Sequence, residues 1–135
     1  MKRLTLFLFL TVLLSCDKDE DEGPSIFIIQ AMTNGQWKVS NYDQGTVSRT
    51  SDFSTYSFQF KANLTVDAIN NGSVVKTGTW TADGNAQTIT SNFTSATNPL
   101  DLLNGTWNIQ STTWTSVNAT QTVNGELRTL ALIKL

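Results

Sequence analysis

The chain has 135 residues, with eleven acidic and nine basic side chains, one cysteine and no histidine. One cysteine cannot form an internal disulfide, and the lack of histidine excludes Ser-His-Asp catalysis, Cys-His catalysis and histidine-ligated metal sites. From residue 25 onward six acidic and six basic residues cancel, so we predict no nucleic-acid partner. Because the usual catalytic and metal-ligating groups are missing, we also predict no cofactor, no metal ion and no enzymatic activity.

The N-terminal segment has the pattern of a secretory signal. Lys2 and Arg3 precede an apolar run at 4–14, which is too short to cross a hydrocarbon core of about 30 Å. The residues Leu13-Leu14-Ser15-Cys16 resemble the lipobox of bacterial lipoproteins, in which the cysteine receives a diacylglyceryl thioether and becomes the new N-terminus. This resemblance implies a lipoprotein signal peptide at 1–15 and a membrane anchor on Cys16. The alternative is an ordinary secreted protein with an incidental cysteine.

A strongly charged run follows the cysteine. Asp17, Lys18, Asp19, Glu20, Asp21 and Glu22 are typical of a solvated, flexible segment, so we predict a tether at 16–24 and a folded domain at 25–135. Residues 17–21 also resemble the surface-export signal of lipoproteins in Bacteroidetes, with Asp17 where that pattern most often has glutamine. The resemblance implies an outer-membrane lipoprotein displayed on the cell surface. A lipoprotein that faces the periplasm is the alternative.

The rest of the chain has the patterning of an all-β domain. Serine, threonine and asparagine form about a third of the sequence. Threonine and aromatic residues favour strands, whereas asparagine and glycine favour turns. An apolar segment at 26–29 predicts a short helix or strand that closes one end of the fold. The predicted strands lie at 37–42, 54–61, 64–69, 74–81, 87–91, 106–113, 114–122 and 126–134, with a weak strand at 46–49 and a helical turn at 99–103.

The connections between these strands are mostly short. Asn70-Asn71-Gly72 predicts a type I′ hairpin, because asparagine and glycine tolerate the positive φ that this turn requires, and Asn124-Gly125 turns the last hairpin. A meander of about eight antiparallel strands favours a barrel or a strongly bent sheet.

A short motif occurs twice in the predicted domain. Asn34-Gly35-Gln36-Trp37-Lys38-Val39 and Asn104-Gly105-Thr106-Trp107-Asn108-Ile109 share the form Asn-Gly-x-Trp-x-Val/Ile, and Gly78-Thr79-Trp80 is a looser third copy. Glycine lets the backbone bend sharply into a strand, and we predict that each tryptophan packs at the base of the core.

Together with the closing Leu127-x-x-Leu130-x-Leu132, these motifs resemble the small lipocalin-like lipoprotein domains of Bacteroidetes over about residues 30–135. The resemblance implies a single antiparallel eight-stranded barrel of the calycin type. In lipocalins the first Gly-x-Trp tryptophan packs under an arginine from the last strands, which implies a cation–π contact between Trp37 and Arg128. The structural residues implied in this way are Gly35, Trp37, Gly105, Trp107 and Arg128. The Gly-Thr-Trp segment also resembles avidin-like barrels, but no set of polar residues predicts biotin binding.

The barrel interior is the candidate functional site. An eight-stranded barrel has room for packed side chains or for one small ligand. Six aromatic residues are the candidates for lining a ligand: Tyr42, Tyr56, Phe58, Phe60, Trp80 and Trp114. One hypothesis is a lipocalin-like module that binds a small hydrophobic or amphiphilic molecule. The other is an adhesion or envelope-assembly subunit that binds a protein partner through its outer surface, with the aromatic residues filling the core.

Overall fold

The computed structural model describes residues 22–135, which form one α-helix, nine β-strands and two short 3-10 helices. Cys16 and the export-signal residues 17–21 lie outside the described residues, as does the predicted signal peptide. The helix and strands are α1 Glu22–Thr33, β1 Trp37–Gln44, β2 Val47–Ser48, β3 Tyr56–Phe60, β4 Thr65–Asn70, β5 Ser73–Asp83, β6 Thr88–Asn92, β7 Gly105–Thr112, β8 Ser116–Val123 and β9 Glu126–Lys134. The 3-10 helices are Thr50–Phe53 and Leu100–Leu103.

Eight of the strands close into an antiparallel barrel. Each strand from β3 to β9 pairs with its neighbour in the chain, and β1 pairs along its length with β9. The barrel closes between β1 and β3, where Trp37 lies opposite Phe58, and the short β2 adds a hairpin arm to β1. The predicted all-β fold with a single eight-stranded barrel is confirmed.

The two predicted Asn-Gly hairpins form as expected. Asn71 and Gly72 have φ values of 49° and 83°, and Asn124 and Gly125 have φ values of 51° and 78°. Positive φ at both central residues is the requirement of a type I′ turn, whose twist matches that of the flanking strands.

Helix α1 closes one end of the barrel, which we call the helix end. Ile28 and Met32 are buried, and Ser25 Oγ accepts a hydrogen bond of 2.7 Å from the Gly84 N–H in the β5–β6 turn. The segment at 26–29 is therefore helical and closes one end, as predicted. The helix begins at Glu22, two residues before the predicted end of the tether at 24. Pro24 fits in the first turn because the first N–H groups of a helix have no partner within it.

The opposite end of the barrel, which we call the mouth, carries the β4–β5 and β8–β9 hairpins and the connection from β6 to β7. Phe53, in the first 3-10 helix, is buried beside β1. The Tyr42 hydroxyl donates a hydrogen bond of 2.7 Å to the Leu102 carbonyl in the second 3-10 helix. These contacts hold the β6–β7 connection against the barrel wall.

The two Asn-Gly-x-Trp motifs take the same local form. Gly35 and Gly105 have φ values of 84° and 106°. The Trp37 indole N–H donates to the Met32 carbonyl at 2.9 Å, and the Trp107 indole N–H donates to the Leu103 carbonyl at 3.0 Å. In each copy the glycine turns the chain so that the tryptophan lies in the core, with its one polar atom bonded to the segment before the strand.

The predicted contact between Trp37 and Arg128 is wrong. The Lys134 ammonium lies 4.9 Å from the centroid of the Trp37 ring. In the β1–β9 ladder Trp37 is opposite Lys134, whereas Arg128 is opposite Gln44 near the mouth. The register therefore separates Arg128 from Trp37 by the length of the ladder, and Lys134 supplies the cation instead.

Candidate functional site

The barrel interior is almost completely filled by apolar side chains. The remaining cavity has a volume of about 40 Å³, and Ser91 is the one polar residue among those that line it. The Ser91 hydroxyl already donates to the Leu103 carbonyl. Ligand pockets usually have volumes of about 300–1,000 Å³, so this cavity is far smaller than the interior site that the ligand-binding hypothesis requires.

Three of the six aromatic candidates fill this interior. Phe58 and Phe60 border the small cavity. Trp80 is fully buried, packs edge-on against Phe60 at 5.2 Å between ring centroids, and donates its indole N–H to the Lys61 carbonyl at 3.0 Å. These rings therefore form the core and do not surround an open ligand site.

Tyr42 also belongs to the core. Its ring packs against Phe53 and Trp107, with centroid distances of 5.5 Å and 5.8 Å. Burial raises the pKa of the Tyr42 hydroxyl above its ordinary value, although Arg128 acts in the opposite direction. The hydroxyl stays protonated at neutral pH and donates to Leu102, so it is occupied by a structural bond.

The last two candidates lie at opposite ends of the barrel. Trp114 is 48% exposed in the β7–β8 turn at the helix end, so it does not face the interior. Tyr56 lies at the mouth, where its ring is parallel to that of Phe58 with 6.3 Å between centroids. Of the six predicted residues, Tyr56 borders a second and larger space that is open to solvent.

This space is an open pocket of about 270 Å³, which we call the mouth pocket. On one side it is bordered by Tyr56, Val75 and Lys76 of the β3–β5 wall. On the other side it is bordered by the β6–β7 connection, with Ser95, Ala96, Thr97, Asn98 and Leu100.

The polar groups of the mouth pocket are available to a ligand. Lys76 is the one charged residue that borders the pocket. Within residues 22–135, Lys76 takes part in none of the three salt bridges. Asn70, directly across the β3–β4 ladder from Tyr56, does not border the pocket, and its amide oxygen is buried without a hydrogen-bond partner within residues 22–135.

The strand pattern explains how Lys76 reaches the pocket. Side chains alternate along a strand, and Lys76 lies two and four residues before Gly78 and Trp80, which are both buried. A bulge leaves Val75 as the extra residue, since Ala68 pairs with Lys76 and Ile69 pairs with Val74. The alternation could have identified Lys76 from the sequence, but we did not predict it as a site residue.

The opposite wall depends on a contact that local patterns do not reveal. Asn104 clamps the start of the β6–β7 connection, because its side chain accepts from the Phe93 N–H at 2.6 Å and donates to the Phe93 carbonyl at 3.3 Å. The clamp fixes where the connection leaves and re-enters the barrel. The sequence predicts a loop at 91–99, but no local pattern indicates that this loop faces Tyr56.

Asp67 forms a separate polar cluster on the outer face of β4. It is 7% exposed. Lys61 Nζ lies 2.7 Å from its Oδ2, and the Thr77 hydroxyl donates to its Oδ1 at 2.7 Å. The hydrogen bond from Lys61, followed by that from Thr77, lowers the pKa of the Asp67 carboxyl. Because its oxygens are already bonded, we interpret this cluster as structural.

Asp67→Asn is expected to destabilise the domain at neutral pH by about 1 kcal/mol, the usual size of a hydrogen bond. The folded pKa of Asp67 lies below its unfolded value, so its stabilisation is complete above about pH 4 and is lost as the pH falls through the folded pKa. Urea denaturation over a pH series should therefore show the difference from wild type shrinking in acid. The exposed Asp101→Asn serves as control, and a difference that stays constant with pH would contradict the assignment.

Within residues 22–135, no helix is both long enough and apolar enough to cross a membrane. The same range contains no group of three or more cysteine, aspartate or glutamate side chains placed to hold a metal ion.

Comparison with known proteins supports the fold. No protein-family model and no curated protein sequence matches the chain. Among solved structures, the chain is similar to a DUF4847 family protein from Bacteroides vulgatus ATCC 8482, with a TM-score of 0.57 and 16% sequence identity, over 78% of this chain and 96% of that one. At this identity the likeness concerns the fold alone. It is compatible with a lipocalin-like barrel.

Proposed function

We propose that this chain is a lipid-anchored, non-enzymatic binding module that takes a small polar ligand at the mouth of its barrel. The observation that supports this proposal is the contrast between the two spaces of the domain. The interior cavity of about 40 Å³ is apolar, whereas the mouth pocket of about 270 Å³ has a lysine, a tyrosine, hydroxyl groups and an amide along its walls.

The anchor and the location rest on the sequence. Leu13-Leu14-Ser15-Cys16 resembles a lipobox, and each methylene buried in a bilayer contributes about 0.8 kcal/mol, so several acyl chains on Cys16 would hold the protein almost permanently. The acidic run at 17–21 resembles an export signal. We therefore place the module on the outer membrane, at the cell surface, with a periplasm-facing position as the alternative.

The chemistry of the mouth pocket favours an anionic sugar as the ligand. The Lys76 ammonium would pair with a carboxylate, and the Tyr56 ring offers an apolar face for the C–H groups of a sugar ring. Ser95, Thr97 and Asn98 supply hydroxyl and amide groups for sugar hydroxyls. No acidic residue borders the pocket to repel a carboxylate.

The proposal is tested with the lipidated protein in detergent, titrated with glucuronate, galacturonate, N-acetylglucosamine and palmitate. We expect binding of a sugar acid and a loss of about 10- to 100-fold in affinity for Lys76→Met, because a hydrogen bond to a charged group contributes about 1.5–3 kcal/mol. Tyr56→Phe should weaken binding less. Lys38→Met, on the exposed outer face of β1, is the matched control and should leave affinity unchanged.

Binding of palmitate with no response to any sugar would contradict the proposal, and so would equal losses for Lys76→Met and Lys38→Met. Native mass spectrometry of protein purified from its own host gives a second readout. A co-purified ligand should be retained by wild type and lost from Lys76→Met.

A second function, adhesion or envelope assembly, is favoured by the exposed apolar side chains around the mouth. Val47, Val74 and Leu127 are each more than half exposed on the hairpins at this end. A protein partner could cover them, in keeping with the filled interior. This function predicts that an envelope protein is retained by wild type and equally by Lys76→Met, which separates it from ligand binding in the pocket.

A further inference from the structure

The helix end of the barrel carries a group of exposed apolar side chains, which we call the rim patch. Ile26 of α1 is 45% exposed, Trp114 of the β7–β8 turn is 48% exposed and Ile133 of β9 is 39% exposed. Phe27 is partly buried beside them. These exposed side chains come from three different elements: α1, the β7–β8 turn and β9.

The three elements that carry the rim patch are joined at the helix end. The Phe27 and Trp114 rings meet edge to face, with 5.0 Å between centroids and 76° between planes. The Lys134 N–H donates to the Thr115 carbonyl at 2.9 Å, which ties the end of β9 to the turn that holds Trp114. Ile133 pairs with Ser116 in the same ladder. The exposed side chains of α1, the β7–β8 turn and β9 therefore lie at the same end of the barrel.

The length of chain between the proposed anchor and α1 limits what the rim patch can face. Five residues separate Cys16 from residue 22, and an extended chain covers at most about 3.6 Å per residue, so these six steps span no more than about 22 Å. The start of α1 lies at the helix end, where Ser25 contacts Gly84. A lipid on Cys16 therefore keeps this end of the barrel within about 22 Å of the membrane.

We propose that the rim patch rests on the surface of the bilayer that holds Cys16, so that the mouth pocket points away from the membrane. This rests on the lipid anchor of the proposed function. Trp114 is half exposed at the end of the barrel that also exposes Ile26 and Ile133. Such a tryptophan suits the headgroup region, where the apolar part of the indole ring is buried and its N–H stays hydrated. The acidic residues at 17–21 would be repelled by anionic lipids, so apolar contact with a zwitterionic surface is the expected interaction.

The test uses full-length lipidated protein in phosphatidylcholine vesicles that contain phosphatidylcholine brominated near the headgroup, which quenches tryptophan on contact. Trp37, Trp80 and Trp107 are buried, so contact should quench Trp114 selectively. We expect wild type to lose about a quarter of its emission, the share of one tryptophan in four. Trp114→Phe should show no such quenching.

A double variant, Ile26→Ser with Ile133→Ser, should at least halve the quenching of Trp114 while the protein stays attached through its lipid. The matched control is Val47→Ser with Leu127→Ser, which removes apolar groups at the mouth that are more exposed than Ile26 and Ile133 and should leave quenching unchanged. All these positions are exposed, and urea denaturation of each variant checks that its fold is intact.

The outcomes separate this inference from the proposed function. An unmodified Cys16, seen by intact mass, would overturn the anchor on which both depend. A lipidated protein whose Trp114 is unquenched by brominated lipid would overturn the docked orientation and leave the anchor in place. Shielding of Trp114 that grows with protein density, without lipid quenching, would show that a second copy covers the patch and would also overturn membrane docking.

Discussion

Trp37→Ala is expected to lower the free energy of unfolding by about 3–5 kcal/mol. Trp37 is completely buried, and its indole N–H bonds to the Met32 carbonyl at the end of α1. Alanine would leave a cavity and an unpaired carbonyl, which adds about 1–3 kcal/mol if the carbonyl stays buried. Small domains have stabilities of about 5–15 kcal/mol, so urea denaturation should find this variant barely folded.

Trp114→Ala is the matched control, because it removes the same side chain from a half-exposed position. Its cost should be about 1 kcal/mol or less. Trp37→Phe should fall between the two, since it keeps most of the packing and loses the hydrogen bond to Met32. Similar losses for Trp37→Ala and Trp114→Ala would show that the Asn-Gly-x-Trp motif does not organise the core in the way the structure indicates.

The parts of the fold that could be predicted from the sequence are those set by local rules. Tyr56, Phe58 and Phe60 alternate with polar residues, and this pattern placed β3 within two residues of its observed bounds. The Asn-Gly pairs at 71–72 and 124–125 turn their hairpins because few other residues tolerate positive φ. Once consecutive strands pair, Trp37 and Trp107 are expected to fill the core because their side chains are large and apolar.

The parts that could not be predicted depend on register between distant segments. Arg128 and Lys134 are both basic residues of β9, and only the pairing of β9 with β1 decides which of them meets Trp37. In the same way, the sequence predicts a loop at 91–99, but the position of this loop opposite Tyr56 depends on the Asn104 clamp. The candidate site therefore lies at the mouth and not in the interior. Of the six aromatic residues predicted to line a ligand, Tyr56 is the one that borders it.

The two proposed surfaces are consistent with each other. The rim patch and the mouth pocket lie at opposite ends of the barrel, so a membrane that covers the first leaves the second open to soluble ligands. A lipocalin-like carrier of apolar molecules would need an open interior, which the core aromatics occupy. Taken together, the two proposals make the barrel a spacer that would hold a polar site away from the lipid surface.

Gly78→Ala is expected to disturb the mouth pocket without altering any residue that lines it. A Cβ atom on Gly78 would lie 2.5 Å from the Asn92 carbonyl oxygen and 2.8 Å from the Phe93 ring. Both contacts lie at the end of β6, where Asn104 holds the Phe93 backbone in place. The extra methyl group must therefore push β6 away from β5, and with it the connection that forms one wall of the pocket.

We expect a loss of about 3 kcal/mol in stability, at the upper end of the usual range for overpacking, together with at least a tenfold loss of sugar-acid affinity. Gly72→Ala is the control, because Gly72 has positive φ but open space around its Cβ position, so its cost of about 1–2 kcal/mol is conformational alone. If Gly78→Ala is no more harmful than Gly72→Ala, then β5 and β6 are not in close contact. If Gly78→Ala is destabilised but binds normally, then the β6–β7 connection does not form part of the ligand site.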